Sequence, residues 1–163
     1  MAIEHTASPF HFKAKKPDDV IIPAVHGTRA VLQSALKFGT DVKRFVLTSS
    51  WAAIEEVRPE GRVYTEDDWN QLSIDQVKGM GDNTPPSASY RASKSLAEKA
   101  AWIFVEQHKS EIGFDLVSMC PPLIYGPVLQ EMHSVASLNT SMELWYQAVI
   151  LGQLDNTALV APG

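Results

Sequence analysis

Apolar and polar positions along the chain follow two different periods. Near the start, Ala2-Ile3-Glu4-His5-Thr6 is a short extended run that passes into the turn-like Ala7-Ser8-Pro9, and it reads as the end of a strand. From Pro17 to Phe38 the period becomes helical. Val20, Ile21, Ala24, Val25, Thr28, Val31, Leu32, Ala35 and Leu36 fall on one face, Pro17 and Asp18 suit a first turn, and Gly39 suits an end. Arg44-Phe45-Val46-Leu47-Thr48-Ser49-Ser50 is then a short apolar run closing in hydroxyls. That is the pattern of a buried parallel strand with polar groups at its carboxyl end, the end where open α/β sheets hold their ligands.

Periodicity is lost from Ala52 to Ala88, where glycines and prolines punctuate the chain. A long connection is expected there, with Glu66-Asp67-Asp68-Trp69 opening a short helical turn. Gly79-Met80-Gly81 follows no strand and opens no helix, so it is not a dinucleotide fingerprint. From Ser89 to about His108 neither Gly nor Pro occurs and a helix is predicted, with Leu96, Ala100, Ile103 and Phe104 as its core contacts. Phe114 to Cys120 reads as another strand, ended by Pro121-Pro122. A last helix is expected from Thr140 to Leu151, capped from within Ser137-Leu138-Asn139-Thr140 and packing through Leu144, Trp145, Ala148 and Val149. Strands and helices that alternate at these spacings imply right-handed crossovers and a parallel sheet, hence a doubly wound α/β domain.

Composition narrows the function. A chain of 163 residues, 45% hydrophobic and 20% charged, suits one domain with a real core. The net charge of −5 is dispersed and the basic residues do not cluster with aromatics, which argues against nucleic acid or a membrane as partner. The single cysteine, Cys120, excludes an internal disulfide framework, and the scattered histidines lack zinc-ligand spacing, so no metal site is expected. No secretory signal and no apolar run of about 18 residues occurs, and a cytoplasmic protein is expected.

The chemistry sits on the helix after Ser89. Tyr90 and Lys94 are one helical turn apart and share a face. A free phenol with a pKa of about 10 is a weak acid-base group at neutral pH, and a neighbouring cation stabilises its anion. Ser50, at a strand's carboxyl end, supplies a third group. With Thr48-Ser49-Ser50 and Tyr90-Arg91-Ala92-Ser93-Lys94, the chain resembles the short-chain dehydrogenase/reductase superfamily. Within it the chain is similar to the extended branch (the NAD-dependent epimerase/dehydratase family), particularly the fungal ketone and aldehyde reductases of methylglyoxal type and plant dihydroflavonol reductase. The blocks that carry the likeness are His5 to Phe10, Phe45 to Ser50, Ser93 to Trp102, Pro121 to Pro127 and Leu138 to Ser141.

The resemblance implies a partial Rossmann-type doubly wound parallel sheet lacking the first βαβ half, because the family's opening Gly-x-x-Gly-x-x-Gly turn is absent. It implies a single partial domain over 1–163, with 139–163 beginning the substrate-binding part, and a chain truncated at both ends. It assigns Tyr90 as proton donor to a carbonyl oxygen, Lys94 as the group that holds the nicotinamide ribose and lowers the phenol's pKa, and Ser50 as the group that polarises the carbonyl. Ala7, Ser8, Ser49, Pro121, Ile124 and Ser141 would touch the cofactor, together with Tyr90 and Lys94, whereas Phe10, Trp51 and Leu123 would line the substrate pocket. The implied cofactor is NADPH, with NADH as the other candidate, and the implied substrate is a small hydrophobic or aromatic ketone or aldehyde. Two other readings stand beside this one: a non-catalytic remnant or interaction module unable to bind the dinucleotide, and a nucleotide-sugar epimerase or dehydratase that uses the same residues.

Overall fold

Strand β1 (Ala2–His5), strand β2 (Arg44–Thr48) and strand β3 (Asp115–Met119) form one parallel sheet in the order β1-β2-β3. The computed structural model describes residues 1–10, 14–56, 63–127, 129 and 131–153. The chain divides into two compact units, Met1–Glu56 with Val63–Pro121, and Pro122–Gly163 with Val57–Arg62.

In the first unit, helix α1 (Asp18–Phe38) crosses from β1 to β2, and helix α3 (Pro86–Gln107) crosses from the β2 side to β3. The two helices pack against each other, so both cover the same face of the sheet. That face carries Ile3, Phe45 and Leu116 in one register row, which meet Leu32 and Ala35 of α1 and Ala101 and Phe104 of α3. Phe45 and Leu32 are fully buried, each worth about 1.5–3 kcal/mol by transfer from water. The opposite face carries Glu4, Val46 and Val117, with Arg44 and Asp115 paired across two strands through bonds of 2.9 and 2.6 Å. This ion pair is exposed and adds little stability.

The α/β class and the parallel sheet stand as the sequence implied, and α1 and β2 fall where the periodicity put them. Pro23 is exposed inside α1, where it leaves the Asp19 carbonyl without its helical donor. Gly39 closes the helix, and its N–H reaches the Ala35 carbonyl at 2.8 Å.

The long connection departs from expectation. It contains helix α2 (Gln71–Met80), capped by Asn70, whose side chain accepts from the Ser73 N–H at 3.0 Å. Only Ser73 and Ile74 of α2 are buried, so its apolar stripe was too short to register as a helical period. Gly79 lies within α2 and Gly81 closes it with a φ of 53°, a conformation that suits glycine; this glycine pair is a helix stop. Helix α3 starts three residues earlier than predicted, with Pro86 in its first turn. Its packing also differs. Ile103 is 56% exposed, Leu96 and Ala100 are half-buried, and the fully covered line runs through Ala92, Ala97, Ala101 and Phe104. Small residues on α3 face small residues on α1, Ala24, Thr28 and Ala35, and let the helices approach closely.

The second unit holds a short helix α4 (Thr140–Trp145), continued by one wider turn over Tyr146–Ile150. Asn139 caps α4 by accepting from the Met142 N–H at 3.0 Å, as the capping run suggested.

Candidate active site

Beyond Thr48 the chain turns, and the two serines that follow separate. The Ser49 N–H reaches the Met119 carbonyl at 2.8 Å, and its hydroxyl turns inward to donate to Glu98 at 2.5 Å. Ser50 is extended and caps the turn Trp51–Ala53, its oxygen accepting from the Ala52 N–H at 3.2 Å. The Ser50 hydroxyl also lies close enough to Tyr90 to act on its phenol. The serine at the strand end therefore meets the tyrosine on α3, while its neighbour belongs to the buried layer beneath.

Tyr90 lies in the second turn of α3, with the Phe10 ring 5.1 Å away. Burial pushes its phenol above the ordinary range, and the Ser50 hydroxyl acts the other way. Lys94, one turn further along, is only 7% exposed and donates to the Thr48 carbonyl at 3.3 Å. Burial pulls its ammonium pKa down, whereas Glu98 and Cys120 act to raise it. The ammonium thus points to the end of β2.

Around this pair the connecting segment is tied down. The Trp51 N–H donates to the Pro121 carbonyl at 2.9 Å, and its ring meets Tyr64 edge-on at 4.7 Å. Asn70 is buried and joins the Trp51 turn to α2: its backbone N–H donates to Ala53 at 2.8 Å and its amide to Ala52 at 3.1 Å. Arg91 pairs with Glu55 at 2.9 Å, both largely covered, and so anchors the same segment to α3.

Ala7 and Ser8 line a cleft of about 10 Å³, the size of one water molecule, together with His5, Thr48, Lys94 and Glu98. Among the described residues, His5 Nε2 and Ser8 Oγ are buried without a hydrogen-bond partner. Leu123, Ile124 and Ser141 belong to the second unit. There Leu123 is half-buried, Ile124 is exposed, and Ser141 follows the first residue of α4.

Sequence reasoning assigned no role to Glu98, Asn70, Arg91 or Glu55. For Glu98 a signal was present, since it stands one turn beyond Lys94 on the same face as Tyr90. The others reach the site only through tertiary contacts. Among the described residues, no group of three or more His, Cys, Asp or Glu could hold a metal ion.

A tyrosine and a lysine thus stand on a crossover helix, with a serine just past the carboxyl end of the neighbouring parallel strand, inside a parallel α/β domain. Residues 1–158 match the model of the 3-beta hydroxysteroid dehydrogenase/isomerase family, and the chain belongs to that family. It is 37% identical over 145 residues to the NADPH-dependent methylglyoxal reductase of Saccharomyces cerevisiae, covering 86% of this chain and 41% of that protein. Identity to a ketoreductase of Aspergillus niger is 39% over 160 residues, covering 98% of this chain and 45% of that one. The crystal structure of the yeast methylglyoxal/isovaleraldehyde reductase complexed with NADPH superposes with a TM-score of 0.73 at 34% identity, covering 88% of this chain and 42% of the other. The chain spans less than half the length of these relatives.

Proposed function

We propose that the protein is an oxidoreductase that reduces a small hydrophobic or aromatic ketone or aldehyde to an alcohol with NADPH, Tyr90 acting as proton donor. The observation that carries this reading is the contact of Tyr90 with Ser50 at the carboxyl end of β2, above the buried Lys94. Relatives named as an NADPH-dependent methylglyoxal reductase and a ketoreductase support the reaction class.

The residues fit a sugar-bearing cofactor at this point. Ser8 Oγ and His5 Nε2 are buried polar atoms in want of partners, in the cleft that Lys94 also lines, and a ribose hydroxyl supplies such partners. When bound, NADPH supplies the hydride that reaches the carbonyl carbon. Tyr90 gives its phenolic proton to the carbonyl oxygen, and the raised pKa keeps that proton on the phenol at neutral pH. Ser50 accepts from the Ala52 N–H, and when a carbonyl enters, its hydroxyl hydrogen turns from Tyr90 to the developing negative charge. Lys94 holds the ribose. Pro121, Ala7 and Ser8 border the cofactor, and Phe10 and Trp51 give the substrate an aromatic wall. The roles of Leu123, Ile124 and Ser141 rest on the sequence resemblance alone. A cytoplasmic location belongs to this reading and is supported by the single thiol, Cys120.

The test joins this chain to the amino-terminal half of the Saccharomyces reductase and follows NADPH oxidation with a panel of aldehydes and ketones. Carbonyl-dependent turnover that Tyr90→Phe abolishes is expected. Absence of both turnover and saturable NADPH binding in a folded protein would overturn the assignment in favour of a non-catalytic module.

A further inference from the structure

Beneath Tyr90 and Lys94 lies a polar layer to which the catalytic reading assigns no role. Tyr90, Lys94, Glu98 and Trp102 follow one another at single-turn spacing along α3. Glu98 is only 5% exposed, yet its carboxylate receives donors from three elements. Ser49 at the end of β2 donates at 2.5 Å, Cys120 beyond β3 at 3.5 Å, and the Trp102 indole of α3 at 3.4 Å. Burying a carboxylate is costly unless hydrogen bonds and an opposite charge compensate it, and Glu98 has the donors.

The charge is that of Lys94. Its ammonium is almost fully covered and, among the described residues, donates to the Thr48 carbonyl alone. A buried ammonium with only a neutral acceptor loses its proton readily. The groups that face it are His5 from β1, Ser49 and the Thr48 carbonyl from β2, Cys120 from beyond β3, and Glu98 from its own helix. Of these, Glu98 alone is an acid of carboxylate type, and it acts to keep Lys94 protonated.

We propose that Glu98, held by Ser49 and Cys120, is a positioning residue that keeps Lys94 charged at the base of the site. Glu98 acts through the lysine. The inference builds on the catalytic reading of Lys94, but its test needs no turnover. Lysines labelled with ¹³C at the ε-carbon are titrated by NMR in the 163-residue chain, the Lys94 signal being assigned by its loss in Lys94→Met.

In Glu98→Gln the Lys94 midpoint is expected to fall by about one pH unit or more, and in Glu98→Asp to return toward its original value. An unchanged midpoint in folded Glu98→Gln overturns the proposal. If Glu98→Gln does not fold, the double variant Lys94→Met with Glu98→Gln decides: recovery of a cooperative melt supports charge pairing, and continued unfolding shows that Glu98 serves packing alone. These outcomes stand apart from the reductase assignment, which fails only by loss of binding and turnover.

Discussion

The two halves of α3 bury different mixtures of side chain. The amino-terminal half, from Pro86 to Glu98, covers Ser89, Ser93, Lys94, Ser95 and Glu98 alongside Ala88, Ala92 and Ala97, whereas beyond Glu98 the buried residues, Ala101 and Phe104, are all apolar. Each buried hydroxyl in the first half has a partner: Ser89 the Pro85 carbonyl, Ser93 the Tyr90 carbonyl, and Ser95 the Ala53 and Arg91 carbonyls. The second half needs no such matching, because Phe104 joins Phe45, Leu32 and Leu116 in the apolar core. One helix thus carries a stabilising segment and a segment that spends stability to hold polar groups in a fixed place.

Substitutions in the two halves separate the roles. The largest effect is expected from Tyr90→Phe in the chimaeric reductase, a loss of about 10²- to 10⁴-fold in turnover with an unchanged melting profile. Parallel collapse of the melt would show that Tyr90 serves packing. Phe104→Ala is the counterpart in the apolar half, expected to cost about 3–5 kcal/mol in a denaturant titration. A cost below about 1 kcal/mol would break the contrast.

Ser49→Ala and Ser50→Ala distinguish the two adjacent hydroxyls. Ser49→Ala removes the closest donor to the buried Glu98 and is expected to destabilise by about 1–3 kcal/mol. Ser50→Ala should leave the melt nearly unchanged and act on turnover instead, so equal stability losses would erase the distinction.

The smallest effect is a pH dependence. Burial, and then the charge on Lys94, lower the pKa of His5 below its ordinary 6.5. The unfolded chain therefore takes up the proton first on acidification. His5 contributes stability that is present above about pH 6.5 and is lost as the pH falls through its lower folded value. The melting temperature of His5→Gln should fall less across that window than that of the parent, and Lys94→Met should also reduce the dependence.

Much of this was legible in the chain. The periods of α1 and β2 are set by long apolar patterns whose burial decides their structure. The Tyr90–Lys94 pair follows from helical spacing alone, which is local geometry and independent of what α3 packs against. The helix α2 was missed for the converse reason. Its order comes from Asn70 and from Glu56, whose carboxylate accepts from the Gln71 and Leu72 N–H groups at 2.8 and 3.0 Å, rather than from an apolar face. Ile103 was misjudged because size suggested a core residue where close helix contact requires alanine.

By itself, then, the sequence determined an α/β chain with a parallel strand ending in hydroxyls and a helix presenting a phenol and an amine on one face. The tertiary structure decided which hydroxyl meets the phenol and which meets Glu98. It also decided that the lysine points to the Thr48 carbonyl and is backed by a buried carboxylate. Neighbours along a chain share composition, but the direction of Ser49 and Ser50 is set by the turn after β2 and by donors and acceptors from β3 and α3. Of those partners Glu98 lies 49 residues beyond Ser49 and Met119 lies further still, and they become neighbours only when the sheet and its crossover helix close.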